Sequence, residues 1–161
     1  MEQDEKLTKV HVDLPHHWAT GGESMWAVDL GGDLYELRNT PFHAYDLNFG
    51  DVVRATADSP DLKPEVRGVA RRSGHVTLRV FFEKTVSKEK TLELLESLNT
   101  LSVTFEGATE TFFALDLEAD ADVARVRQEL DQWEAQGWAA YETCEARVAG
   151  SFDDHPEEGE P

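Results

Sequence analysis

The chain has 161 residues, 40% of them hydrophobic, which is enough for one ordinary domain or two small ones. Its 15 basic and 33 acidic residues give a net charge of −18, a field that repels phosphate backbones and anionic lipid and so disfavours nucleic-acid binding and membrane attachment. No segment reaches the ~18 apolar residues of a membrane span and the N-terminus has no signal-peptide pattern, so we expect a cytoplasmic protein.

The first half of the chain predicts five short strands. Apolar residues alternate at period two over 7–14, 24–30, 34–37, 51–55 and 65–71, and Gly or Pro residues separate these runs. No helical period interrupts them. Residues 1–74 are therefore expected to form a small β-barrel or a rolled sheet.

The second half changes to mixed helix and strand. Strands are predicted at 75–82, 102–105, 112–117 and 138–148, with one helix over 88–99 and another that carries Val123, Val126, Leu130 and Trp133 on one face. The order βαββαβ over residues 75–149 is typical of a ferredoxin-like layer. The predicted fold is thus α+β, an N-terminal barrel packed on this layer, and the polar residues 150–161 are expected to be a disordered acidic tail.

Residue types that carry chemistry form no strong motif. The single cysteine, Cys144, cannot form an internal disulfide, and its sequence neighbours include two glutamates, which oppose thiolate formation. His16 and His17 beside Trp18 could bind a transition metal, but adjacent histidines rarely chelate one ion. His43 lies in an irregular segment and stays open as a general base. We predict no catalytic residue, metal or cofactor.

Charged residues allow two further expectations. Asp51 is expected to cap the turn that enters the strand at 51–55, through a side-chain bond to the backbone. Arg54, Arg67, Arg71 and Arg72 form a small positive island that could meet an anionic group, although such arginines more often pair with local acids.

Several segments resemble a bacterial family of unknown function, numbered 4265. The resemblance is carried by Met25-Trp26-Ala27-Val28, by the run from Gly32 to Phe42, and by Phe49-Gly50-Asp51-Val52-Val53, and it extends over about residues 8–148. It implies a bacterial source and a shared fold, and it supplies no activity or catalytic residue. It does direct attention to residues 35–53, where we predict a candidate binding surface of Tyr35, Arg38, Asn39, His43 and Asp51.

Three functions remain open from the sequence. The first is a non-enzymatic acidic binding protein, such as an immunity or antitoxin-type protein that holds a basic protein partner. The second is a small-molecule sensor or an enzyme, with a site at the junction of the barrel and the ferredoxin-like layer. The third is a ribosome- or nucleic-acid-associated module, which the net charge opposes. Homo-oligomer formation is compatible with all three.

Overall fold

The chain divides into two units that differ in secondary structure. The computed structural model describes residues 6–18 and 20–155. One unit comprises Met1–Ser73 together with Glu145–Pro161, and the other comprises Gly74–Cys144. The first contains a five-stranded barrel and the second a four-stranded sheet with two helices, which confirms a mixed α+β fold.

The barrel is a meander in which each strand pairs antiparallel with the next. Its strands are β1 (Leu7–Asp13), β2 (Gly22–Gly31), β3 (Leu34–Leu37), β4 (Val52–Thr56) and β5 (Glu65–Arg71). β5 closes the barrel by lying parallel to β1, with one residue pair, His11 with Glu65. All five strands were predicted to within two residues, because their inward side chains alternate with outward ones.

The barrel core is filled by the inward positions of the strands and by the segment between β3 and β4. Val10, Val12, Met25 and Ala27 come from the first two strands and are almost completely buried. Two residues of the connecting segment, Ala44 and Leu47, belong to the same apolar cluster. That segment therefore closes over the barrel core rather than lying in solvent.

The second unit is built from β6 (Val76–Phe82), α1 (Lys88–Ser97), a 3₁₀ turn (Leu98–Leu101), β7 (Val103–Gly107), β8 (Phe112–Leu117), α2 (Val123–Ala135) and β9 (Ala139–Thr143). The strand order is β7-β8-β6-β9, and all neighbours are antiparallel. Ser87 and Asp122 cap the two helices by accepting hydrogen bonds from backbone amides in the first turn. No helix in the described part of the chain is both long enough and apolar enough to span a bilayer.

Both helices of this unit cover the same face of the sheet. Leu95 of α1 and Val126, Leu130 and Trp133 of α2 share one buried cluster with apolar residues of β6, β7 and β8. The side chains of β6 alternate, so Leu78 and Val80 face the helices while Arg79 faces the other way. The apolar helical stripes read from the sequence are thus buried as expected.

The C-terminal segment corrects one boundary. We predicted that the second subdomain would reach residue 149 and that a disordered tail would follow. Instead β9 ends at Thr143, and residues 145–155 belong to the barrel unit. Phe152 packs against the barrel core and its carbonyl accepts a hydrogen bond from Tyr45 at 2.9 Å. The partly buried Phe152 ring, that backbone contact and the buried Asp153 carboxylate, which accepts the His16 amide at 2.8 Å, hold residues 151–155. Residues 156–161 lie outside the described residues.

Candidate functional site

Two of the predicted site residues sit beside the β2 strand. The Arg38 guanidinium makes an ion pair with Glu36 at 2.8 Å, and the Arg38 backbone amide donates to the carbonyl of Trp26. Asn39 uses its side-chain oxygen to accept the backbone amide of Trp26 at 2.6 Å. β3 ends at Leu37, and beyond it the Asn39 side chain supplies the acceptor for an amide of β2. The role of Asn39 is therefore structural.

Asp51 has the turn-capping role expected of it. Its side chain is fully buried and accepts backbone amides from Asn48 at 3.0 Å and from Ser73 at 2.8 Å. The Arg72 guanidinium lies 3.6 Å from the same carboxylate and bonds Asp46 at 3.0 Å. A buried carboxylate is stable in this setting because two amides and a cation compensate its lost hydration.

His43 lies in an aromatic cluster at the other side of the β3–β4 segment. Its ring meets the His17 ring edge to face, with centroids 4.9 Å apart, and His17 in turn stacks on Trp18 at 5.4 Å. The Arg147 guanidinium lies 4.7 Å over the ring of Tyr45, which is also near His17. The structure thus brings His17 and His43 together, although no pattern in the sequence indicates that these two histidines pair.

Tyr35 lies beside a groove of the barrel unit. Its ring lines a groove of about 520 Å³ together with Thr8, Lys9 and residues of the loop between β4 and β5. Partial burial raises the pKa of the Tyr35 phenol, and the carboxylates of Asp29 and Asp33 raise it further. The phenol therefore stays protonated at neutral pH and can donate a hydrogen bond into the groove.

The structure can be searched for side chains that could together hold a metal ion. Across residues 6–18 and 20–155, no group of three His, Cys, Asp or Glu side chains has an arrangement that could hold a metal ion. Tyr35, Arg38, Asn39, His43 and Asp51 each contact different neighbours, so their grouping into one binding surface stays a prediction.

A family model matches residues in both units of the chain. The family model described as "Domain of unknown function (DUF4265)" matches residues 23–141. The chain belongs to this DUF4265 family. The match includes the whole 35–53 segment, in agreement with the resemblance seen in the sequence. It begins at Glu23 and ends in β9, so residues 145–155, which complete the barrel unit, lie beyond it.

A solved structure shares the fold that this DUF4265 member adopts. It is described as a novel crystal structure of a hypothetical protein from Neisseria gonorrhoeae. The two chains superpose with a TM-score of 0.73 at 13% sequence identity, covering 89% of this chain and 97% of the other. At that identity the likeness shows the fold alone. No curated protein matches the chain.

The first residue of the DUF4265 match, Glu23, is one that sequence reasoning missed. Glu23 occupies an inward position of β2 and is 9% exposed. Its carboxylate accepts three backbone amides, from Phe42 at 2.6 Å, His43 at 3.0 Å and Ala44 at 2.9 Å. The signal was present in the sequence, because Glu23 falls in period-two register with Met25 and Ala27 and must therefore point into the barrel.

The sheet face opposite the helices of the second unit carries paired ionisable groups. Arg79 is fully buried and its Nε donates to Glu142 at 2.9 Å. His75 lies 2.8 Å from Asp116. Burial raises the pKa of the Asp116 carboxyl, the bond to His75 opposes this rise, and Glu118 adds to it. Each buried charge thus has a partner of opposite sign or a hydrogen bond, as buried charges require.

The outer surface of α1 is acidic. Glu89, Glu93 and Glu96 are exposed and lie at positions i, i+4 and i+7, which places them in one row along the helix. None of the three makes an ion pair with another described residue. Such a row of carboxylates without ion pairs attracts cations and basic protein surfaces.

The predicted basic island is divided by the structure. Arg72 is held by Asp46 and Asp51, whereas Arg54, Arg67 and Arg71 are exposed on β4 and β5. Arg67 donates to the hydroxyl of Thr56 at 3.2 Å. All four guanidinium groups are exposed, but only those of Arg54, Arg67 and Arg71 make no ion pair with a carboxylate of the described residues.

Proposed function

We propose that this protein is a non-enzymatic acidic binding protein that holds a basic protein partner. The proposal rests on the row of Glu89, Glu93 and Glu96 on α1, which is exposed and makes no ion pair within the described residues. An acidic surface of this kind accelerates encounter with a basic protein and disfavours acidic ones. An immunity or antitoxin-type protein against a basic toxin is its most concrete form.

The arrangement of the second unit supports this proposal. Its strand order, with one helix between β6 and β7 and another between β8 and β9, is what we expect of a ferredoxin-like layer. Such a layer presents the outer faces of both helices on one side, where a rigid row of carboxylates can meet a flat partner surface. We further propose that the protein acts in the cytoplasm.

A capture experiment with two charge-reversal variants tests the proposal. The purified protein is immobilised and exposed to lysate of the source cells at about 50 mM and about 500 mM NaCl, where the screening length falls roughly threefold. We expect a basic protein to be retained at low salt and released at high salt. Replacing Glu89, Glu93 and Glu96 by Lys should weaken capture at least about tenfold.

The control variant changes the net charge equally at exposed acids elsewhere. It replaces Asp13, Asp58 and Glu83 by Lys, and it should retain most of the captured protein. If both variants lose capture to the same extent, net charge alone is responsible and the α1 surface is not the site. If no basic protein is captured at either salt concentration, the proposed function is wrong.

Two alternative functions stay predictions. One is a small-molecule sensor or an enzyme, and the other is a ribosome- or nucleic-acid-associated module. The exposed Arg54, Arg67 and Arg71 favour the second of these, while the net charge of −18 opposes it.

A further inference from the structure

The first strand of the barrel is paired along its whole length on one side only. β1 pairs with β2 from Leu7 opposite Val28 to Asp13 opposite Gly22. On its other side β1 meets β5 at the single pair of His11 and Glu65, where a hydrogen bond between the two side chains also closes the seam. The part of β1 that precedes His11 is therefore an open sheet edge.

The main-chain groups at this edge point away from β2. The His11 amide donates to the Pro64 carbonyl at 2.8 Å, on the β5 side, whereas the Leu14 amide donates to Gly21, on the β2 side. Backbone groups alternate in direction along a strand, so the amides and carbonyls of Leu7 and Lys9 share the direction of His11. Within residues 6–18 and 20–155, neither residue has a hydrogen-bond partner across the seam.

A groove of about 520 Å³ adjoins the same edge. Thr8 and Lys9 form one wall, and Ala57, Leu62 and Lys63 of the β4–β5 loop contribute the opposite one. Leu62 is 58% exposed, and Leu7, at the start of the strand, is 52% exposed. The edge thus offers unpaired main-chain donors and acceptors, free space beside them, and apolar side chains nearby.

We propose that the edge of β1 at Leu7–Lys9 binds an extended peptide segment of a partner protein, which adds a strand to the barrel. Main-chain hydrogen bonds to the Leu7 and Lys9 backbone supply affinity, and alternate apolar side chains of the peptide pack against Leu7 and Leu62. This site lies in the barrel unit and does not depend on the acidic row of α1.

Charge favours a partner segment over a second copy of this chain. Edge-to-edge pairing of two copies would bring their Lys9 side chains together, and a lysine on an edge strand is a known barrier to such pairing. Two chains that each carry −18 also repel one another. A peptide segment from another protein meets neither obstacle.

A pair of matched peptides tests the proposal on the full-length protein. The probe is the heptapeptide Lys-Val-Thr-Val-Thr-Val-Lys, acetylated at its N-terminus and amidated at its C-terminus. Two control peptides have the same sequence. The first carries N-methyl groups on the backbone amides of one edge of the strand, and the second carries them on the amides of the opposite edge. Amide hydrogen exchange is followed residue by residue by NMR. We expect the probe to slow exchange of the Lys9 amide at least about tenfold, and one of the methylated peptides to have no effect.

Two variants at one position separate the backbone from the side chain. Lys9→Pro removes the edge amide without removing a β2 bond, whereas Lys9→Ala keeps that amide. Protection by the probe, read at the Leu7 amide, should be lost in Lys9→Pro and kept in Lys9→Ala, with circular dichroism confirming that both variants fold. If Lys9→Pro does not fold, the comparison of the probe with the two methylated peptides on the native chain decides whether the backbone is bound.

Three results would overturn the strand-addition proposal. The first is an unchanged Lys9 exchange rate with the probe at millimolar concentration. The second is equal protection by the probe and both methylated peptides, which would indicate a groove that binds side chains or small ligands. The third is protection of Lys9 that rises with protein concentration and needs no peptide, which would assign the edge to a second copy of this chain.

Discussion

The carboxylate of Glu23 accepts a hydrogen bond from the backbone amide of His43 at 3.0 Å, although the two residues are twenty positions apart. The same carboxylate also accepts the amides of Phe42 and Ala44. Three consecutive amides thus converge on one buried side chain of β2. This contact fixes the start of the β3–β4 segment and, with it, the position of the His43 ring.

Replacing Glu23 by Gln should destabilise the protein by about 1–3 kcal/mol. The amide group of Gln has one acceptor oxygen, and its NH₂ group would face a backbone donor, so at least one buried amide would lose its partner. Urea unfolding followed by tryptophan fluorescence measures the change. Glu93→Gln, at an exposed position of α1, should shift stability by less than about 0.5 kcal/mol. Equal stability of the two variants would contradict this role for Glu23.

Gly22 is required beside the His11 ring. A Cβ atom at position 22 would lie 2.5 Å from the His11 Nε2 atom, and the His11 ring closes the barrel through Glu65. We expect Gly22→Ala to cost about 1–3 kcal/mol, because the ring must move and the seam must open. Gly21→Ala is the matched control: a Cβ there meets no atom within 4 Å, so its stability should be unchanged or slightly higher. Thermal unfolding of both variants distinguishes these outcomes.

Phe152 should contribute to the stability of the barrel despite lying close to the C-terminus. Its ring packs on the barrel core and its backbone binds Tyr45, so Phe152→Ala should lower the free energy of unfolding by about 2–4 kcal/mol. Leu30→Ala removes an apolar side chain that is 49% exposed on β2 and should have a much smaller effect. A disordered segment at residues 151–155 would instead make Phe152→Ala neutral in chemical denaturation.

Asp116 should make the protein less stable as pH rises. Its folded-state pKa is raised above the ordinary value of 3.8, so the folded state binds its proton more tightly than the unfolded state does. The stabilisation from this proton is present below about pH 3.8 and is lost as pH rises through the folded pKa. Stability measured against pH for Asp116→Asn should lack this loss, so the variant gains relative to the native chain over that interval.

The same pH series on Asp120→Asn provides the comparison. Asp120 is exposed, and Asp120→Asn removes the same charge from the chain as Asp116→Asn does. A stability difference between Asp116→Asn and the native chain that does not vary between about pH 3 and 7 would contradict the linkage.

The regular elements could be predicted because local periodicity determines them. Val126, Leu130 and Trp133 recur at helical spacing, and Val10 and Val12 recur at strand spacing, so each set must face a single core. β9 was predicted too long, since the polar and apolar residues at 144–148 still alternate after pairing with β6 has ended at Thr143.

Contacts between distant segments could not be predicted in the same way. The return of Phe152 to the barrel depends on one aromatic residue in a polar stretch, whose composition by itself indicates disorder. The meeting of His17 with His43 depends on how the β3–β4 segment is held, which in turn depends on Glu23. Of these contacts, only that of Glu23 could be predicted from a local pattern, because Glu23 is a charged residue at an inward strand position.

The return of residues 145–155 to the first unit affects how the chain can fold during synthesis. The sheet-and-helix unit is continuous from Gly74 to Cys144, whereas the barrel unit needs a segment that is translated after it. In a nascent chain the five barrel strands are therefore synthesised long before the segment that carries Phe152, and the barrel unit lacks this contact while the sheet-and-helix unit is being made. The usual order, in which an N-terminal unit is complete before the next one is made, therefore does not apply to the barrel.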